Sequence, residues 1–265
     1  MCIRDRYNAG TPSGTGSGNV IVGYIASISA NVSDAISIGN SCATRGTDSI
    51  GIGAGVNVQS IDCTVIGRSA TVGTSNPNCV IVGKSSSVTT SVSGNCTIVG
   101  TSCTTVGSNS TALGYNAVTT ASNQVRIGNA SVTSIGGYAD WSNISDGRIK
   151  KNVTEDVLGL SFISQLRPIT YDKDYDAIAQ ITGRAVEPPE VCPREIGLIA
   201  QEVETVAQSL NFNFPGVCPP TGDGDTYMLT YSALIMPLIK AVQEQQVLIQ
   251  TMKAEIQALQ AMNPA

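Results

Sequence analysis

Val80-Ile81-Val82-Gly83, Thr97-Ile98-Val99-Gly100 and Thr111-Ala112-Leu113-Gly114 share one arrangement: a β-branched residue, a variable one, an aliphatic one, then glycine. The marker occurs nine times, with glycines at 23, 39, 53, 67, 83, 100, 107, 114 and 128. Their spacings of 16, 14, 14, 16, 17, 7, 7 and 14 cluster on multiples of seven with insertions of two or three residues. Side chains two apart lie on one side of a strand, so each unit is expected to turn its two marker residues inward. The glycine then bends the chain without a Cβ penalty. Short strands joined by polar corners at a fixed period predict a β-solenoid. At about fourteen residues per coil and about 4.8 Å between coils, Gly23 to Gly128 stack into about seven coils, a rod about 35 Å long.

Of eight cysteines, Cys63, Cys79, Cys96 and Cys103 each precede their glycine by four residues. They are expected to form one column of small apolar fillers, with metal binding or cross-linking as the alternative. No CxxC spacing occurs, so neither a zinc ribbon nor a disulfide framework is indicated, and no cofactor or metal is expected.

The 265 residues contain no histidine, which excludes Ser-His-Asp and Cys-His catalysis and imidazole-ligated zinc. An aromatic share of 5% argues against one large globular core. The net charge of −5 offers no basic face to a phosphate backbone, so nucleic acid is not an expected partner. No apolar run reaches the length of a membrane span, and the charged start Met1-Cys2-Ile3-Arg4-Asp5-Arg6 does not resemble a signal peptide. A chain that is soluble, unexported and not membrane-inserted is expected.

Charge divides the sequence. Between Tyr7 and Ile144 there are eight charged side chains; from Ser145 onward there are 24. The shift falls in Trp141–Gly147 and marks a domain boundary. The first part has four aspartates (Asp34, Asp48, Asp62, Asp140) and no glutamate, so a carboxylate pair for glycan hydrolysis is hard to assemble there.

The second part opens with Ser145-Asp146-Gly147-Arg148-Ile149-Lys150-Lys151-Asn152-Val153. A helical period from Leu158 to Leu166 is stopped by Pro168. There follow a strand at Tyr171, a loop holding Asp172, Asp174 and Asp176, the stretch Glu195 to Val203, and a polar Pro/Gly loop around Cys218 to Asp225. The aspartates lack the glycine and glutamate of a calcium loop, and Glu195 and Glu202 are given no catalytic role. In the last segment Ile235, Leu238, Val242, Gln245, Ile249, Met252, Ile256 and Leu259 alternate spacings of three and four, a heptad seam with one polar member. Pro237 either kinks this helix or lies in its first turn.

Units such as Ala35-Ile36-Ser37-Ile38-Gly39-Asn40 and Thr111-Ala112-Leu113-Gly114-Tyr115-Asn116-Ala117 resemble the head repeats of trimeric adhesins and phage fibres, in which three chains share an apolar axis. The order of motifs after Ser145 resembles the C-terminal intramolecular chaperone of phage tail spikes, fibres and neck appendages, a self-cleaving peptidase family also present in the myelin regulatory factor. That resemblance implies a homotrimer that severs itself before Ser145, at the Ile144–Ser145 bond, with Ser145 as nucleophile and Lys150 as base. Asp146 is a supporting candidate, for the serine or for the strand. Lysine can replace histidine as the base when it is stripped of water.

The expected architecture is thus mainly β, then α+β. Residues 1–17 are unassigned, foreign or truncated; 18–144 form a trimeric β-solenoid shaft, 145–230 a chaperone and self-processing domain, and 231–262 a trimeric coiled-coil helix. The expected function is that of a virion tail fibre or spike tip, assembled in the host cytoplasm, with other tail proteins and a host-surface receptor such as a glycan as partners. The alternative is a structural or adhesive trimer that does not cleave.

Overall fold

A computed structural model describes residues 3–5, 16–89, 94–222 and 224–262. The chain forms two compact units, Met1–Thr133 and Ser134–Ala265.

The first unit is a β-solenoid with two strands per coil. Three-residue strands at Val20–Val22, Ile36–Ile38, Ile50–Ile52, Thr64–Ile66, Val80–Val82, Thr97–Val99, Thr111–Leu113 and Val125–Ile127 pair in parallel and in chain order. Ile3–Asp5, given no role by the sequence, extends this sheet by pairing with Val20–Val22. Two-residue strands at Ser27–Ile28, Ala43–Thr44, Asn57–Val58, Thr71–Val72, Ser87–Val88 and Thr104–Thr105 form a second parallel sheet. The marker at Thr104 therefore belongs to the other side of its coil, which explains the two spacings of seven. A short strand always begins seven residues after its long strand. All insertions fall in the return half of the coil, from short strand to next long strand.

The expected inward face is reversed. In every long strand the middle residue enters the coil: Ile21, Val65, Ile81, Ile98 and Ala112 are buried, whereas the marker residues Val80, Val82, Val99 and Leu113 are exposed. Only one side chain of a three-residue strand can occupy a core this narrow, and the pleat sends both of its neighbours outward. Ile28, Val58, Val72 and Val88 meet the middle residues from the short strands. The buried hydroxyls of Ser37 and Thr44 donate to carbonyls at Cys42 and Ile36. This interior column ends at half-buried Arg126, opposite Ala112, where a charge closes the stack.

The cysteines divide between two columns. Backbone pairing stacks Ser49, Cys63, Cys79, Cys96 and Ser110 before the long strands, while Cys103 stands in the other column with Cys42, Val56, Ser86 and Ala117. They do more than fill space. The Cys63 thiol donates to the Ile61 and Asn76 carbonyls, Cys96 to those of Gly94 and Gly107, and Cys103 to that of Gly114. Ser49 and Ser110 make the same bonds in their coils. Contact with the preceding thiol of the column pushes Cys79 up to about 11 and raises Cys96 as well, so both stay protonated and act as donors.

Just before that column the backbone is left-handed at Asp34, Asp48, Asp62, Asn78, Asn95, Asn109 and Asn123, with φ between 51° and 62°. Asp and Asn tolerate this conformation because their short polar side chains bond locally. Three of the shaft's aspartates are therefore stacked rather than scattered, and they sit there as corner residues.

In the second unit, a core of Phe162, Val203, Ala207, Phe214 and Leu234 gathers Leu158, Leu166, Leu198, Phe212 and Leu229 around it. All three phenylalanines of the chain cluster here, with centroids 5.1, 5.1 and 5.9 Å apart. The helical period after Leu158 yields a single turn, α1 (Leu160–Ile163). Ile169–Tyr171 pairs antiparallel with Glu195–Gly197. The aspartate loop instead opens a helix, α2 (Tyr175–Thr182): Asp174 caps it by accepting from the Ala177 N–H, and Asp176 lies in its first turn. Then come α3 (Ala200–Ser209), a Val217–Cys218/Met228–Leu229 hairpin, a 3₁₀ turn at Tyr231–Leu234 and α4 (Ile235–Met262). Pro237 lies in the first turn of α4, where its missing N–H costs no intrahelical hydrogen bond.

At Gly100, φ is +149° and an added Cβ would stand 1.7 Å from the Gly114 carbonyl oxygen of the next coil. Gly100→Ala is therefore expected to cost about 2–3 kcal/mol and lower the shaft's melting temperature by several degrees. Cys79→Ser, which keeps a donor at the corner, should stay within about 1 kcal/mol of wild type. Thermal unfolding followed by circular dichroism measures both.

Candidate active site

The segment from Val132 to Ser145 is exposed throughout, and Ile144 retains 88% of its accessible surface. A one-turn 3₁₀ helix, Gly147–Ile149, follows at once. Asp146 caps it, accepting from the Arg148 N–H at 2.8 Å, while the Ile149 and Lys150 N–H groups donate to the Asp146 and Gly147 carbonyls. The turn reverses the chain so that the fifth residue after Ser145 returns to it. The Lys150 Nζ donates to the Ser145 Oγ at 2.9 Å. An alcohol and an amine thus meet beside an open peptide bond, the arrangement that a serine–lysine pair needs for acyl chemistry.

Asp146 is committed elsewhere. The Arg148 guanidinium grips its carboxylate through Nε at 3.0 and 3.1 Å and Nη2 at 2.6 Å. Its part is to hold the turn rather than to touch the serine. The same bond holds the Asp146 carboxyl below the usual carboxylate range, with the Arg148 N–H adding to the effect. In the sequence Arg148 reads as a solvated charge or as a positive neighbour that keeps Lys150 neutral; the signal that finds its bond to Asp146 is the Asp-x-Arg spacing across a tight turn. Ser145 and Lys150 are both exposed in the single chain.

The two glutamates set aside as catalysts are engaged in ion pairs. Glu195 meets Lys173 at 2.7 Å, which lowers its pKa, and accepts from the Tyr171 hydroxyl at 2.9 Å. Burial, reinforced by that bond, pushes Tyr171 up to about 12. Glu202 pairs with Arg167. Among the described residues no cluster of three His, Cys, Asp or Glu is placed to hold a metal, and no helix is long and apolar enough to cross a membrane.

Helix α4 turns Pro237 and Ala241 into its own domain, and Glu244 accepts from the Leu160 N–H at 2.7 Å. The seam points elsewhere: Ile235, Leu238, Val242, Gln245, Ile249, Met252, Ile256 and Leu259 are all exposed, and past Glu244 the described helix is exposed on every side.

Residues 145–212 match the family model of peptidase S74, the chaperone of endosialidase. The match begins at the serine of the Ser145/Lys150 pair. No curated protein matches the chain. A β-solenoid of about seven coils followed by a segment of this family fits a phage tail fibre with a C-terminal chaperone domain.

Because the Asp146 carboxyl is held low, its grip on Arg148 is present above the ordinary carboxylate range and is lost only as pH falls through the lowered value. Carboxyl-carbon NMR should show Asp146 titrating below 3.8, its ordinary value, and Arg148→Ala, which keeps the backbone N–H, should raise it toward that value. Equal midpoints in the two proteins would show that the clamp is absent in solution.

Proposed function

We propose that the chain is the subunit of a homotrimeric virion tail fibre or spike tip whose C-terminal unit assembles the shaft and then cuts itself free at Ile144–Ser145. The observation that carries this reading is the 2.9 Å bond from Lys150 Nζ to Ser145 Oγ at the first residue of the matched segment. The Ser145 Oγ adds to the Ile144 carbonyl carbon and its proton passes to Lys150. The carbon–nitrogen bond breaks as the Ser145 nitrogen takes a proton back, leaving the Ile144 acyl group as an ester on the serine oxygen. Water then hydrolyses that ester to the Ile144 carboxylate and a free serine. The enzyme acts once, on its own chain.

A lysine serves as base when its amine is withdrawn from water. Lys150 is exposed in the single chain, so the covering must come from neighbouring subunits. Cleavage then reports that assembly is complete. The exposed seam of α4 supports three-chain association, with Gln245 setting register as its polar member. The released shaft attaches the virion to a host-surface receptor, with other tail proteins as its partners in the virion.

On a denaturing gel, wild type should yield fragments 1–144 and 145–265, whereas Ser145→Ala and Lys150→Ala should stay whole. Mass spectrometry should place the new carboxyl terminus at Ile144. Intact wild type in a confirmed trimer would replace this reading with the non-cleaving structural fibre.

A further inference from the structure

We infer that Cys79 and Cys96, neighbours in the buried thiol column of the shaft, form a site for one soft monovalent metal ion of the copper(I) class, with the Thr105 hydroxyl beside it. The two cysteines stand on consecutive coils, one residue before paired strands, and the Val80 N–H donates to the Cys96 carbonyl at 2.9 Å. Their thiols are in contact, and both residues are at most 1% exposed. All three residues lie in the shaft, so the inference is independent of self-cleavage.

Distance selects the kind of ion. Coils repeat at about 4.8 Å, and a metal held in line between two sulfurs, about 2.3 Å from each, spans about 4.6 Å. Soft ions of this class accept two sulfurs in a line, whereas zinc requires four ligands. Among the described residues no group of three or more acids, thiols or imidazoles is placed to complete such a set. Charge selects valency, because a monovalent ion that replaces one proton leaves the interior neutral, and a net charge in a core this narrow is costly. The step is a displacement. The Cys79 Sγ–H bond breaks, its proton passes to water, and metal–sulfur bonds form to the Cys79 thiolate and the Cys96 thiol.

Two observations place the ion between Cys79 and Cys96 rather than between Cys63 and Cys79. The Thr105 hydroxyl lies against Cys96, is wholly buried and is the one buried side-chain oxygen or nitrogen among the described residues without a hydrogen-bond partner. A buried hydroxyl left unbonded is costly, and a cation gives its oxygen a partner. Cys79 is also the least committed thiol of the column. Among the described residues it donates to the Pro77 carbonyl alone, at 3.5 Å, while Cys63 reaches two carbonyls at 3.1 and 3.3 Å. Cys103 is equally buried but stacks between Ser86 and Ala117, with no thiol on either side.

The probe is silver(I), the air-stable congener of copper(I), added to the full chain in chloride-free buffer after alkylation of the thiols that react in the folded protein, such as exposed Cys192. Warming to just below the melting temperature lets the ion enter the coil. Native mass spectrometry should then show one silver less one proton per copy of the shaft in wild type, in Cys63→Ser and in Cys103→Ser. Cys79→Ser and Cys96→Ser should take up none, and Thr105→Val should bind several-fold more weakly. No silver in wild type, or as much in Cys79→Ser as in wild type, overturns the site, and uptake abolished by Cys63→Ser overturns the pairing. If Cys79→Ser loses the β signal in circular dichroism, Cys96→Ser decides by the same comparison.

Discussion

Coils stacked at hydrogen-bonding distance leave no room for a Cβ at the bends from Gly23 to Gly100. Gly83 faces Gly100, and Gly100 faces Gly114, each with the next coil's carbonyl oxygen 1.7 Å from where a methyl group would stand. Once the bends are held at that spacing, the other positions are constrained. The residue entering the coil must fit a core one side chain deep on each side. The residue before each thiol column must adopt a left-handed backbone, and the corner carbonyls need a donor from within the coil. Serine and cysteine alternate in that last place because both are small and both donate, so the recurring thiols reflect hydrogen bonding rather than redox chemistry.

The period of the shaft was legible because glycine is irreplaceable at the bend, and irreplaceable residues leave a regular mark. The facing of the strands was not. A three-residue unit of apolar, variable, apolar composition looks the same whether its ends or its middle are buried, and hydrophobicity suggested the ends. The core accepts Ser37, Gly51 and Ala112 at the middle position because it is narrow rather than because it is polar. The apparent extra unit at Thr104 arose because the short strands occasionally carry the same valine and glycine as the long ones.

In the second unit the order of elements was readable from proline stops and the heptad spacing, but the length of α1 and the helix that Asp174 caps were not. Leu158 to Leu166 have the period of a helix, yet Gly159 lies so close to Ala241 and Glu244 of α4 that the helix begins only after it. The Ser145/Lys150 pair was implied by the resemblance; its spacing alone is too common to mark it. What brings it within bonding distance is a clamp between Asp146 and Arg148 that looks, in the sequence, like ordinary surface charge.

The exposure of that pair is a functional clue in itself. A serine–lysine pair that were buried in the newly folded chain would be armed before any partner had arrived, and the chain would be cut while its shaft was still alone. The shaft turns one wholly aliphatic column outward, from Val22 to Ile127, so a shaft released alone would keep that column in water and be prone to indiscriminate association. Under the proposed self-cleavage, leaving the lysine hydrated until other subunits cover it would tie release to assembly. On that proposal the device would need no sensor beyond solvation, because assembly itself would withdraw the amine from water.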